Sequence, residues 1–121
     1  MSKTALVVDD SLSIRKLVAR TLQQAGFSVL EAANGQEGLD RLKGQPVSLV
    51  ITDLNMPVMD GLEFIRSLRD EPDHRFTPVV FLTTEVDEKH KLAARAVGAT
   101  AWIVKPFHPE KVMTVVRKIA P

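Results

Sequence analysis

The run Leu49-Val50-Ile51-Thr52-Asp53 decides the fold, because here a short, continuous apolar stretch ends in a carboxylate. Apolar runs without alternating polar residues are typical of strands that are covered on both faces in a parallel sheet. Comparable runs lie on either side of it, at residues 5–8, 27–30, 79–82 and 101–104. The sequence therefore predicts five parallel strands.

Amphipathic segments separate these runs and carry the signals that start and stop helices. Gly26 and Gly98 stand where helices are expected to end. Helix starts are predicted at residues that can cap backbone N–H groups or that suit the first turn: Asn34, Asp60, Asp87 and Pro109. Strict alternation of strand and helix indicates a doubly wound α/β domain with five helices.

Length and composition narrow the class of protein. The 121 residues suit one compact domain, and 16 basic against 15 acidic residues give no charge excess of the kind that nucleic-acid binding favours. The absence of cysteine excludes disulfides and thiolate chemistry. No apolar run is long enough for a signal peptide or a membrane span. We expect a single cytoplasmic domain over residues 1–121, with no output domain and no membrane or nucleic-acid partner.

Chemically useful side chains stand at the ends of four predicted strands. The first strand ends in Asp9-Asp10, the third in Asp53, the fourth in Thr83 and the fifth in Lys105. Ligands of open parallel sheets bind beyond the carboxyl ends of the strands, so these groups are expected to share one pocket. Clustered carboxylates repel unless a cation intervenes, and an all-oxygen ligand set suits Mg²⁺. Independent, solvated strand-end charges are the plainer alternative.

The motifs resemble the signature of response-regulator receivers of the chemotaxis type. The resemblance rests on Asp9-Asp10, the stretch 53–61 (DLNMPVMDG), Thr83 and Lys105-Pro106-Phe107, and it spans essentially the whole chain. It implies a flavodoxin-like sheet with the strand order 2-1-3-4-5. It also implies a switch that is activated by phosphorylation and is not a conventional enzyme.

The resemblance assigns the acceptor and the metal ligands. Asp53 would take the phosphoryl group as an acyl phosphate. Asp10, Asp53 and the backbone carbonyl of Asn55 would bind Mg²⁺ directly, and Asp9 would do so through water. This division fits phosphoryl transfer, which depends on positioning and on neutralising charge.

The resemblance also assigns the groups around the anion. Lys105 and Thr83 would contact phosphoryl oxygens, and a cis bond between Lys105 and Pro106 would aim the lysine into the pocket. Pro57 and Gly61 would shape the loop after the acceptor, although ordinary turn chemistry explains them equally well.

Two further roles follow from position within the family pattern. Asn55 and Glu85 would border the hydrolytic water and tune the lifetime of the phosphorylated state, while a charge at a helix start is the alternative for Glu85. Thr84 replaces the Ala or Gly common at its position and would narrow access to the phosphoryl group. Trp102 takes the place of a Tyr or Phe switch residue, with a plain core tryptophan as the alternative.

Partners are expected from the same resemblance. A sensor histidine kinase would donate the phosphoryl group to a monomeric receiver, and an effector would bind the face of the fourth helix, fifth strand and fifth helix. That face is basic and suits an acidic partner segment, through Lys89, Lys91, Arg95, Lys111, Arg117 and Lys118. No chemistry is assigned to the histidines, which are expected in loops or on helix surfaces: His74, His90 and His108.

Two rival functions remain open at this stage. A haloacid-dehalogenase-like phosphatase also uses a strand-end aspartate, but it carries a second aspartate two residues later, where this chain has Asn55. A pseudo-receiver that binds partners without phosphate is the other rival. Retention of all five strand-end groups argues against it: Asp9, Asp10, Asp53, Thr83 and Lys105.

Overall fold

The computed structural model describes residues 3–119 and confirms one parallel sheet between two layers of helices. The strands are β1 (Thr4–Val8), β2 (Ser28–Ala32), β3 (Leu49–Thr52), β4 (Val79–Thr83) and β5 (Ala101–Val104), in the order β2-β1-β3-β4-β5. The helices are α1 (Leu12–Gln24), α2 (Gly35–Leu42), α3 (Gly61–Asp70), α4 (Glu88–Ala96) and α5 (Pro109–Ile119), with a 3₁₀ turn at Pro72–His74. Within residues 3–119, no helix has the length and apolar character needed to cross a membrane.

Each face of the sheet has its own core. Helices α1 and α5 pack on one face, where Leu22 and Val112 meet Ile51. Helices α2, α3 and α4 pack on the other face, where Phe64 lies in the same cluster as Phe81. The central strands β1, β3 and β4 are consequently buried almost throughout, whereas the edge strands β2 and β5 are partly exposed.

Most helix boundaries follow the sequence signals. Side-chain oxygens accept backbone N–H groups at 2.9 Å at three helix starts: Asn34 from Glu37, Asp60 from Glu63 and Asp87 from His90. Gly26 and Gly98 follow the ends of α1 and α4 with φ angles of +97° and +84°, which residues with a Cβ rarely adopt. The three capped helix starts follow loops at the carboxyl edge of the sheet, whereas the two glycines lie at the opposite edge.

Two expectations were wrong. The second strand spans Ser28–Ala32, whereas the apolar pattern predicted residues 27–30. It continues to Ala32 because an edge strand tolerates the charged Glu31, which the apolar pattern excluded. His74 is buried and not on the surface, and its Nδ1 atom lies 3.1 Å from Thr77 Oγ1. A polar partner inside the fold makes that burial acceptable.

The Arg69 guanidinium at the end of α3 ties two connections together. It donates to the carbonyls of His74 and Thr77 at 3.0 and 2.8 Å, in the connection between α3 and β4. It also donates to the carbonyls of Val97 and Gly98 at 3.2 and 2.9 Å, where α4 ends. We call this arrangement the Arg69 clamp. It fixes the C-terminal end of α4, far from the carboxyl edge of the sheet.

Candidate functional site

A pocket forms where the carboxyl ends of β1, β3, β4 and β5 meet. Asp9 follows β1, Asp53 follows β3, Thr83 ends β4 and Lys105 follows β5. The carboxylate oxygens of Asp9, Asp10 and Asp53 lie within 4.8 Å of one another. The topology thus brings together the charged strand-end groups that the sequence singles out.

Lys105 is the cation of this pocket. Its Nζ atom lies 2.9 Å from Asp53 Oδ2 and 3.0 Å from Asp9 Oδ2. The peptide bond between Lys105 and Pro106 is cis, as the resemblance implies. Burial alone would lower the pKa of Lys105, but its hydrogen bonds to Asp53 and Asp9 outweigh burial and raise the pKa. The ammonium therefore stays charged between the two carboxylates.

Asp53 is held in a fixed orientation. Its side chain is about nine-tenths buried. Its Oδ1 atom accepts a hydrogen bond from the backbone N–H of Leu54 at 2.7 Å, and its Oδ2 atom accepts one from the ammonium of Lys105. Its own backbone N–H donates to the carbonyl of Val8 at 2.9 Å, which extends the pairing of β3 with β1. Hydrogen bonds to both oxygens fix the orientation of this carboxylate.

Asp9 is the most buried carboxylate of the pocket, at 3% exposure. Its Oδ1 accepts the N–H of Ser11 at 2.9 Å, which positions it at the start of α1. Burial raises the pKa of Asp9, although hydrogen bonds from Ser11 and Lys105 oppose the rise. Arg15 donates to the Asp9 carbonyl at 2.9 Å and is held by Glu31, a support that sequence reasoning missed.

The donor set fits Mg²⁺. Three carboxylates surround one ammonium, so negative charge remains after the contacts of Lys105 are counted. Asp10 is exposed, and among residues 3–119 its carboxylate makes no hydrogen bond or ion pair. Oxygen ligands with one face open to water match the preference of Mg²⁺ for a partly hydrated shell.

Two residues predicted to shape the loop after Asp53 lie at tight points of that loop. A Cβ on Gly61 would collide with the Asp53 carbonyl oxygen and come within 2.9 Å of Phe81, so only glycine fits there. The Pro57 carbonyl accepts the N–H of Met59 at 2.7 Å around Val58, whose φ angle is +71°. This tight turn brings the loop back toward α3.

The rim of the pocket links two loops. Asn55 Nδ2 donates to Glu85 Oε1 at 2.8 Å, so the two proposed tuning residues contact each other directly. Glu85 lies two residues before Asp87, the capping residue of α4, so a charge at the helix start stays an alternative for it. Glu85 Oε2 also lies 3.6 Å from His90 Nδ1, a contact that sequence reasoning missed.

The proposed switch residues lie on neighbouring strands. Thr83 is fully buried, and its Oγ1 accepts the N–H of Glu85 at 3.3 Å, while Thr84 is exposed. Trp102 is partly buried and packs against Phe81 with ring centroids 5.8 Å apart. Its Nε1 atom is buried and has no hydrogen-bond partner within the described chain. The indole also borders a groove of about 190 Å³ beside α4.

A family comparison agrees with this geometry. The family model for the response regulator receiver domain matches residues 5–117. The chain belongs to the receiver family. Receivers are phosphorylation-activated switches of two-component signalling, and they are not conventional enzymes.

Individual relatives place this receiver near chemotaxis proteins. It is 41% identical over 107 residues to a chemotaxis protein CheY homolog of Campylobacter jejuni, covering 87% of this chain and 82% of that protein. The chemotaxis response regulator CheY4 of Vibrio cholerae has a TM-score of 0.92 and 43% identity, with 98% and 99% of the two chains covered. The transcriptional regulatory protein SrrA of Staphylococcus aureus is 34% identical over 119 residues. The match covers 98% of this chain and 48% of that protein.

Proposed function

We propose that Asp53 is the phosphoacceptor of this receiver and that Lys105 and Thr83 bind the phosphoryl oxygens. The observation that carries the assignment is the ion pair between Lys105 and the buried Asp53 carboxylate, which puts a cation where phosphoryl charge would develop. Thr83, at the end of the adjacent strand, supplies a hydroxyl from the same edge of the sheet.

The proposed reaction moves one phosphoryl group. An Asp53 carboxylate oxygen forms a bond to phosphorus, and the bond between phosphorus and the donor breaks. The bonding electrons leave with the donor, which is the histidine nitrogen of a sensor kinase. Asp53 then carries an acyl phosphate, and Lys105 exchanges a carboxylate contact for a phosphoryl contact.

Mg²⁺ is part of this proposal. Asp10, Asp53 and the backbone carbonyl of Asn55 would hold it directly, and Asp9 would hold it through water. When bound, it would neutralise charge on the carboxylates and on the phosphoryl oxygens. The buried position of Asp9 and the exposed position of Asp10 agree with this division, because the exposed carboxylate is free to turn toward an ion.

The proposed setting is chemotaxis or motility control in the cytoplasm. The similarity to CheY proteins of two bacteria supports the pathway, and the family supplies the kinase and an effector as partner classes. We further propose a monomer whose effector is an acidic segment that binds the basic face of α4, β5 and α5. Lys91 and Arg95 lie on that face beside Trp102.

The acceptor is tested by loading the protein with acetyl phosphate or phosphoramidate in the presence of Mg²⁺. Intact mass spectrometry should show one added phosphoryl group, which is lost in Asp53→Asn and after chelation with EDTA. Asp70→Asn, which removes an exposed carboxylate from the end of α3, is the matched control and should label normally.

Undiminished labelling of Asp53→Asn would refute the acceptor. Absence of labelling from every donor would favour a pseudo-receiver.

A further inference from the structure

Four side chains connect the rim of the pocket to the first turn of α4. Asn55 Nδ2 lies 2.8 Å from Glu85 Oε1, and His90 Nδ1 lies 3.6 Å from Glu85 Oε2. The same ring nitrogen lies 2.6 Å from Asp87 Oδ1. Glu85 therefore lies between an amide that donates a hydrogen bond to it and an imidazole at ion-pair distance.

Asp87 fixes the position of the His90 imidazole. Its Oδ1 caps α4 by accepting the backbone N–H of His90 at 2.9 Å and also contacts the ring of the same residue. These contacts, the backbone one first, lower the pKa of Asp87 and keep it anionic. This hydrogen bond ties the ring to its own helix cap and leaves Nδ1 at ion-pair distance from Glu85 Oε2.

We propose that His90 is a positioning residue that holds Glu85 beside Asn55 and thereby sets how fast the phosphoryl group on Asp53 is hydrolysed. The inference rests on the proposed function, because it concerns the lifetime of the phosphorylated Asp53. His90 makes no contact with Asp53 and acts through Glu85.

The reaction concerned is simple hydrolysis. A water oxygen forms a bond to phosphorus, and the bond between phosphorus and the Asp53 oxygen breaks with its electron pair returning to the carboxylate. Both water protons stay on the released dihydrogen phosphate. The resemblance to chemotaxis-type receivers implies that Asn55 and Glu85, two residues after Asp53 and Thr83, face that water, and their side chains are joined by a hydrogen bond.

Among the groups around His90, the side chain of Glu85 is the one whose position depends on the imidazole. From the connection between β4 and α4 the ring meets Glu85 and Asp87, and from the facing loop the neutral Asn55 holds the far oxygen of Glu85. On α4 itself, Glu88 and Lys89 are exposed neighbours. Without the ring, Glu85 would keep only the Asn55 contact and could swing away from the pocket.

The test compares variants of the full chain after loading with phosphoramidate and Mg²⁺ and rapid removal of the donor. His90→Leu keeps bulk but removes the ring nitrogen, and it should slow loss of the phosphoryl group several-fold without reducing the initial labelling. His90→Asn places an amide near the position of Nδ1 and should restore most of the wild-type rate. Glu88→Gln, which changes an exposed charge in the same helical turn, is the matched control and should decay at the wild-type rate.

A second measurement detects the geometry in the unphosphorylated protein. The side-chain amide resonances of Asn55 should shift in His90→Leu and return toward the wild type in His90→Asn, while the melting temperatures of all variants stay close together. Wild-type decay in His90→Leu would overturn the inference. Rescue by His90→Lys but not by His90→Asn would also overturn it, because charge and not position would then be decisive. Failure of the wild type to label would remove the proposed function itself.

Discussion

The Lys105 ammonium lies 2.9 Å from the Asp53 Oδ2 atom, so the proposed acceptor has a cationic partner before any phosphoryl group arrives. The same ammonium lies 3.0 Å from Asp9 Oδ2. One lysine thus serves two carboxylates while Asp10 stays unpaired within the described chain. The pocket consequently keeps negative charge that its own ammonium does not neutralise.

Removing the lysine should destabilise the metal-free protein. In Lys105→Met, two largely buried carboxylates lose their shared donor, and the free energy of unfolding near pH 7 should fall by roughly 1–3 kcal/mol. Because ion pairing raises the pKa of Lys105, its contribution is complete below the ordinary lysine value and is lost as the pH rises through the raised one. Urea unfolding at increasing alkaline pH should therefore show the wild type converging on the variant. A constant gap across that range would contradict the ion-pair explanation.

Mg²⁺ should stabilise the folded protein by mass action. At a hundredfold excess over the dissociation constant, the gain is about 2.7 kcal/mol. Asp10→Asn should raise the melting temperature of the metal-free protein, since it removes one of three close carboxylates, and it should weaken the response to Mg²⁺. Thermal melts with and without Mg²⁺ measure both effects. A wild-type melting temperature that does not change when Mg²⁺ is added would count against the metal site.

Gly61→Ala should disturb the acceptor loop. The added Cβ would clash with the Asp53 carbonyl and with Phe81. Neither group can move away without shifting β3 or the core. We expect a loss of roughly 1–3 kcal/mol in unfolding free energy, together with slower labelling of Asp53. Ser67→Ala, in the middle of the same helix, is the control and should change neither property. Normal stability and labelling of Gly61→Ala would show that the loop adapts.

Trp102 should report the switch by its own fluorescence, since the chain has one tryptophan and no tyrosine. Its buried Nε1 lacks a partner in the described chain, which costs about 1–3 kcal/mol and favours any state that satisfies it. Beryllofluoride with Mg²⁺, a phosphoryl mimic, should change the emission beyond the effect of Mg²⁺ alone. Thr83→Ala should bind the mimic yet lose most of this change. A full response in Thr83→Ala would mean that the coupling bypasses Thr83.

The fold and the position of the pocket could be predicted because they depend on few rules. Apolar runs set the strands, and the carboxyl ends of parallel strands lie at one edge whatever the details of packing, so Asp53 and Lys105 had to approach each other. The end of β2 could not be predicted in this way, because an edge strand accepts a charged residue that a central strand would reject.

The contacts that support the pocket could not be read from the sequence. Asn55 and Glu85 are 30 residues apart and meet only because two loops fold over the same edge. The contact of His90 with Glu85 depends on the path of the segment before α4, and the contact of Arg15 with Asp9 depends on how α1 leaves the sheet. Such contacts are fixed by tertiary structure, for which residue spacing carries no signal.

The Arg69 clamp also determines how α4 can move. Its hydrogen bonds to Val97 and Gly98 hold one end of the helix, while the other end follows the loop that contains Glu85. In mechanical terms, α4 is a lever roughly 13 Å long with its fulcrum at the clamp. A displacement near the pocket would therefore tilt α4 and not slide it. A partner bound to this helix would experience a displacement that grows with distance from the fulcrum.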